Sequence, residues 1–238
     1  MKQIISFFLL FHLAAAQADD SFSKAQDQLQ KIHSSLRFSY GSLQDEYPEQ
    51  LMAALFIPPE AQVLELGGNI GRNSCVIASL LKNSKNLVTM ECSKESAKLL
   101  RKNRDRNKLQ FRIEEAAISK VPLIQSGWMT IPSEEEKPGF VRVNTLSFEE
   151  VQKKYRMTFD TLVIDCEGAF YYILKDDPEL LKNIRLILME NDFPLLEHFQ
   201  YVTKLLQENG FQLIYTAPLM TDWQIPAKEE FYQAWKKH

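Results

Sequence analysis

The sequence has few of the residues that build metal and disulfide frameworks. Its 238 residues include three cysteines, Cys75, Cys92 and Cys166, and four histidines. An odd number of widely spaced cysteines is no disulfide framework, and each reads as a small buried hydrophobe at a strand end or helix start. No cysteine pair has metal-ligand spacing and the histidines are scattered, so no metal site is expected. Positive charge is not in excess: 28 Lys and Arg face 31 Asp and Glu, a net charge of −3. That balance argues against a phosphate-rich partner, and no nucleic acid is expected. Low-complexity tracts and internal repeats are missing, which excludes solenoids and linker arrays. Glycine is scarce at eight residues, so a cluster of glycines carries information.

Runs long enough to cross a membrane are missing too. The apolar stretch from Ile4 to Ala16 follows Lys2 and leads into Ala16-Gln17-Ala18 before Asp19-Asp20. A positive start, a short apolar stretch and small residues at the exit read as a secretory signal peptide over residues 1–18. Its removal takes away only Lys2 and moves the net charge from −3 to −4. The mature chain is then expected in the secretory pathway, secreted or periplasmic, with no membrane anchor.

What is present is an ordinary globular composition, 45% hydrophobic and 25% charged, of a length that suits one α/β domain. Phe22, Ala25, Leu29, Ile32 and Leu36 recur at helical spacing. A second helix is expected from Pro48, with Leu51, Met52 and Leu55 on its apolar face and Pro58-Pro59 as its stop. Residues 19–60 thus read as a helical N-terminal extension. From residue 61 to 238 the pattern changes. Short apolar strands are predicted at Val63–Leu66, Leu87–Met90, Phe111–Ile113, Thr161–Ile164, Leu186–Met189 and Phe211–Thr216. Helices fall between them, the last closed by Gly210. That alternation predicts an α/β Rossmann-like fold, a mostly parallel sheet with helices on both faces. Residues 120–145, with Trp128 and Glu134 to Glu136, break the alternation and read as an insertion over the site or a solvated loop.

In such folds ligands sit beyond the carboxyl ends of the strands. The first strand ends in Gly67-Gly68-Asn69-Ile70-Gly71, three of the eight glycines within five residues. Such a turn lets backbone approach a ligand, and the helix that follows offers free N–H groups to a carboxylate. The dinucleotide pattern G-x-G-x-x-G fails, because Asn69 and Arg72 stand where glycines are needed. A nucleoside without phosphate fits better. Glu91 ends the second strand, where an acid can accept ribose hydroxyls. After the third strand, Glu115 can accept from a base amino group and Ala116 leaves room for it. The fourth strand ends in Asp165-Cys166-Glu167-Gly168, whose two acids, two residues apart, can face one cleft. The fifth ends in Glu190-Asn191-Asp192. Five strand-end carboxylates around one crevice favour a cationic ligand.

Taken in order, these residues resemble the FkbM-type methyltransferases. The likeness runs from Val63 to Ile214. It rests on Glu65-Leu66-Gly67-Gly68-Asn69-Ile70-Gly71, Glu91, Ala116-Ala117-Ile118-Ser119, Val143-Asn144-Thr145-Leu146-Ser147, Ile164-Asp165-Cys166-Glu167-Gly168, Glu190 and Asn209-Gly210-Phe211. The resemblance implies a class I methyltransferase fold and O-methylation of a hydroxyl on a sugar or other natural product, with S-adenosylmethionine as donor. It implies that Glu65 and the glycine turn hold the methionine part, Glu91 the ribose, and Glu115 and Ala116 the adenine. Asp165 and Glu167 then lie at the reacting end as candidate catalytic residues. Val163 and Phe170 depart from the family pattern, which usually has Lys and an acid there. Two further readings compete: a binding protein that keeps the fold without catalysis, which those departures suggest, and separately a nicotinamide-dependent oxidoreductase, against which Asn69 and Arg72 argue.

Overall fold

The computed structural model describes residues 20–237; the signal-peptide reading of residues 1–18 lies outside them. Residues 20–35 form helix α1, and Ala25 and Leu29 are buried on its inner face. α2 (Tyr47–Phe56) follows with Pro48 in its first turn. The α/β part then runs β1 (Val63–Leu66), α3 (Arg72–Leu80), β2 (Leu87–Met90), α4 (Lys94–Arg106) and β3 (Arg112–Glu114). Five short strands come next: β4 (Ala117–Ile118), β5 (Leu123–Ser126), β6 (Met129–Pro132), β7 (Val141–Val143) and β8 (Thr145–Leu146). The chain ends through α5 (Phe148–Tyr155), β9 (Thr161–Ile164), α6 (Phe170–Asp176), β10 (Leu186–Glu190), α7 (Leu196–Glu208), β11 (Phe211–Ala217) and β12 (Tyr232–Lys237).

The main sheet has seven strands in the order β11-β12-β10-β9-β1-β2-β3. β3, β2, β1, β9 and β10 are parallel, and β12 lies antiparallel between β10 and β11. The chain adds β2 and β3 on one side of β1, then returns to place β9 on its other side. The switch point is therefore between β1 and β9, where ligands bind in open α/β sheets.

Strand periodicity sorts side chains onto two faces. Val63, Leu87, Val163, Leu186 and Leu188 enter one apolar core with α1, α2 and α3. Leu64, Leu66, Val88, Met90, Leu162, Ile164, Ile187 and Met189 enter the other, with α5, α6 and α7. Burial on both faces explains why the strands read as continuous apolar runs. Each such side chain contributes roughly 1.5–3 kcal/mol.

Two features go beyond the sequence reading. Residues 120–145, read as either an insertion over the site or a solvated loop, contain a three-stranded antiparallel sheet, β6-β5-β7. β12 is a further strand after Phe211–Thr216; its residues mix aromatics with lysines and lack the apolar run that marks the others. Among the C-terminal aromatics, Phe231, Tyr232 and Trp235 are buried, whereas Trp223 is 66% exposed. Three basic side chains of α4 are bound within the fold: Arg104 donates to the Phe111 carbonyl, Lys102 to the Tyr40 hydroxyl and Arg106 to Ser39 Oγ.

Candidate functional site

A cavity of about 300 Å³ opens at the carboxyl ends of β1, β2 and β9, at the switch point. Gly67, Asn69, Glu91, Ala116, Asp165 and Glu167 all line it. The β5–β6 hairpin forms the opposite wall with Leu123, Gln125, Trp128, Thr130 and Pro132. The segment that broke the α/β alternation is thus an insertion over the site.

The glycine turn is defined by crowding. Gly67 has φ +90°, and a Cβ there would lie 1.5 Å from the Asp165 carbonyl oxygen. Only glycine lets β1 and β9 exit side by side at this point. Gly71, with φ +89°, caps α3 against Leu100. Gly68 packs against Thr89, so neither Gly68 nor Gly71 reaches the cavity. The turn's amides are already used: Gly67 and Gly68 donate to the Met90 carbonyl, and Gly71 to that of Gly68. Nor is the N-terminus of α3 open, because Glu46, immediately before α2, accepts the Asn73 amide and pairs with Arg72 at 2.8 Å. The free helix N-terminus read from the sequence is therefore filled by the protein itself. Nothing in the local pattern of β1 could have revealed that.

Glu91 is buried at the tip of β2 and lines the cavity. Its two oxygens accept the amides of Asn69 and Ser93, both at 2.7 Å. Asn69 takes a left-handed conformation, φ 45°, to present that amide. Burial raises the Glu91 carboxyl, and the two amide bonds oppose the shift. Glu91 therefore ties the glycine turn to β2 while facing the ligand space.

Glu65 and Glu115 sit elsewhere. Strand parity puts Glu65 on the α3 face with Val63. There it is buried and accepts Ser74 Oγ at 2.5 Å and Thr89 Oγ1 at 2.7 Å. Burial pushes its carboxyl up to about 7 despite those bonds. It braces β1 from behind and does not line the cavity. Glu115 is held by Arg101 of α4 at 2.9 Å and does not line the cavity. The cavity wall at this point consists instead of Ala116, Ala117 and Ile118.

At the tip of β9, Asp165 and Glu167 both reach the cavity wall. Glu167 has φ 53° and Gly168 φ 77°, a turn that swings the chain away from the strand direction. Burial raises the Glu167 carboxyl. Asp165 is raised further, by burial and by Asp192, Glu46, Glu49 and Glu167 around it. Glu190 and Asp192 do not line the cavity. They stand behind Asp165, so the five strand-end carboxylates form two groups rather than one ring. Cys92 and Cys166 are half-buried on the cavity wall, while Cys75 alone fits the reading of a fully buried hydrophobe. Tyr172 and Lys175 of α6 were not singled out from the sequence, because α6 is short and shows little periodicity; both line the cavity.

No family model and no curated protein matches the sequence. Solved structures do resemble the fold. An O-methyltransferase from Bacillus cereus in complex with SAH aligns with a TM-score of 0.50 and 16% identity, over 90% of this chain and 91% of that one. A protein from Streptococcus pneumoniae described as a tRNA (m1A22) methyltransferase, in complex with S-adenosyl-L-methionine, aligns with a TM-score of 0.50 and 12% identity, over 80% of this chain and 72% of that one. At such identities the likeness is one of fold. The chain has the Rossmann-like fold of class I methyltransferases.

Proposed function

We propose that this protein is an S-adenosylmethionine-dependent O-methyltransferase of FkbM type, acting on a hydroxyl of a sugar or other small natural product. The observation that carries this reading is the charge and shape of the switch-point cavity. Glu91, Asp165, Glu167 and Asp176 line it against one lysine, Lys175. A wall so rich in carboxylates repels a pyrophosphate and favours a sulfonium. The absence of a glycine phosphate cradle points the same way.

In this reading Glu91 accepts the ribose hydroxyls and the flat wall of Ala116, Ala117 and Ile118 meets the adenine. The backbone at Gly67 and Asn69 lies against the amino-acid end. When bound, the cofactor supplies a methyl group activated by positive sulfur. The protein then has to orient the acceptor hydroxyl, shield it from water and remove its proton. Trp128 and Tyr172 border the space left for an acceptor, and one of Asp165 and Glu167 takes the proton. Orientation contributes on the order of 7–11 kcal/mol in favourable cases. A positioned base adds roughly 10²–10⁴ in rate. With residues 1–18 read as a signal peptide, the activity belongs to the secretory pathway.

A thermal-shift comparison followed by labelled-methyl transfer tests the reading. S-adenosylhomocysteine is expected to raise the melting temperature, because a ligand that binds only the folded state stabilises it. NAD is expected to leave it unchanged, and label is expected to pass to a hydroxyl acceptor. Stabilisation by NAD alone would replace the proposal with an oxidoreductase. Stabilisation by S-adenosylhomocysteine with no transfer across a broad hydroxyl panel would leave a binding protein.

A further inference from the structure

Lys175 is the one cation on a cavity wall whose other charged groups are acids, and its place in the fold bears on what is methylated. Ala169, Tyr172, Ile173, Lys175 and Asp176, from α6 and its N-cap, all line the cavity. Their spacing of three and four residues lays one face of the helix along it. Lys175 lies six residues beyond Ala169, about 9 Å along the axis at 1.5 Å per residue. It therefore stands at the end of that face away from the tip of β9, where Asp165 and Glu167 sit.

The ammonium is held in place but not neutralised. Its Nζ lies 5.5 Å from the centroid of the Tyr171 ring and 5.8 Å from that of Tyr201, cation–π contacts with two rings. Those rings are fixed in turn. They meet edge to face at 5.3 Å, and the buried His198 stacks on Tyr171 at 3.7 Å. Among the described residues, no carboxylate forms an ion pair with Lys175. The two acids that follow it in sequence are engaged elsewhere. Asp176 Oδ2 accepts the Lys120 amide at 3.1 Å, and Asp177 pairs with the Lys120 ammonium at 3.0 Å. Two lysines and two aspartates balance there, so this end is less anionic than the strand tips.

Much of the remaining wall is apolar or aromatic, with Val121, Leu123, Trp128, Pro132, Tyr172 and Ile173. Such a lining accommodates the body of a ligand, and the few polar groups on it set orientation and specificity. A preorganised cation without a partner selects a negative group. We propose that the methyl acceptor is a ring hydroxy acid whose carboxylate pairs with Lys175, while its ring lies against Trp128 and Tyr172 and its hydroxyl points to the tip of β9. Lys175 is then a specificity-determining residue and takes no part in the transfer itself. Sugar acids and hydroxyaryl acids share this chemistry, a hydroxyl and a carboxylate on opposite sides of one ring. The inference names the acceptor class of the proposed reaction and rests on that reading, whereas the preference for an acid can be measured without it.

Titration of the full-length protein, with and without S-adenosylhomocysteine, tests this by calorimetry. The probes are a methyl glucuronoside and 4-hydroxyphenylacetate, each beside its uncharged carboxamide. At least one acid is expected to bind the wild type roughly fivefold or more tighter than its amide, as one rim ion pair allows. The arm that shows the preference tells a sugar acid from an aryl acid. The ratio should fall to within about twofold in Lys175→Met and survive in Lys175→Arg. Lys120→Met removes the same charge from a lysine already paired, and should keep the ratio. Because the readout compares two ligands on one protein, lost stability does not mimic it. Binding of neither acid, or a wild-type ratio under about twofold in both arms, would overturn the proposal. So would a ratio kept in Lys175→Met, or an equal loss in Lys120→Met, which would make the preference a matter of net charge. Thermal shift by S-adenosylhomocysteine and labelled-methyl transfer, measured separately, report on the methyltransferase reading alone.

Discussion

Gly67 and Asp165 meet so closely at the tips of β1 and β9 that a Cβ on Gly67 would lie 1.5 Å from the Asp165 carbonyl oxygen. The contact is backbone to backbone, so no side-chain movement relieves it. It holds the cavity-facing turn of one strand against the candidate catalytic residue of its neighbour.

Gly67→Ala is therefore expected to be severely destabilising, by roughly 3 kcal/mol or more, since it combines a left-handed φ with a main-chain clash. Urea unfolding measures this directly. A variant as stable as wild type would mean that β1 and β9 do not converge as described.

Glu91 binds two amides and faces the cavity, so its substitution should be read twice. Glu91→Gln turns one acceptor oxygen into an N–H donor aimed at an amide N–H. The fold is expected to lose roughly 1–3 kcal/mol. Calorimetry should find affinity for S-adenosylhomocysteine lower by about tenfold or more, near 1.4 kcal/mol. Affinity unchanged in the folded variant would remove Glu91 from the ligand site.

Much of this arrangement could be read from the chain itself. Val63–Leu66, Leu87–Met90 and Thr161–Ile164 announce buried parallel strands because they are apolar on both faces. The glycine cluster then marks the switch-point turn. Strand-end position also finds Glu91, Asp165 and Glu167. What escaped was set by tertiary contacts. Glu65 faces α3 because of strand parity, Glu46 reaches the N-terminus of α3 from across the fold, and Arg101 captures Glu115. The insertion at residues 120–145 could not be classed, because short antiparallel strands such as Leu123–Ser126 carry little periodicity of their own.

Trp128 gives that insertion a measurable role. It is 62% exposed yet lines the cavity. Trp128→Ala is expected to change stability by no more than about 0.5 kcal/mol, as exposed substitutions do. It should weaken cofactor or acceptor binding severalfold, read as a raised KM. A KM unchanged for both would mean that the hairpin only borders the site.

Glu65 makes stability depend on pH. Its carboxyl rises from 4.5 to about 7 in the folded state, chiefly through burial. The folded protein therefore keeps a proton that the unfolded chain releases, and stability from this group falls as pH rises from 4.5 to about 7. The full loss, present above that window, is on the order of 3 kcal/mol. Glu65→Gln keeps an oxygen for Ser74 and Thr89 and should flatten this part of the profile. The variant should be more stable than wild type near pH 8 and similar near pH 4. Denaturant titrations across that range give the difference, and parallel profiles would contradict the assignment.

At the reacting end, Glu167→Gln and Asp165→Asn are expected to separate turnover from binding. The variant that removes the proton acceptor should lose about 10²–10⁴ in kcat while keeping affinity for S-adenosylhomocysteine within a few-fold. Full turnover in both variants would place proton removal elsewhere.

The account stands most directly on where an adenosyl ligand binds, and a crystal structure with S-adenosylhomocysteine measures that. The expected result has ribose hydroxyls on Glu91, adenine against Ala116 and Ile118, and sulfur turned toward Asp165. Ligand bound away from the tips of β1, β2 and β9, or a cavity that stays empty at saturating ligand, would contradict it.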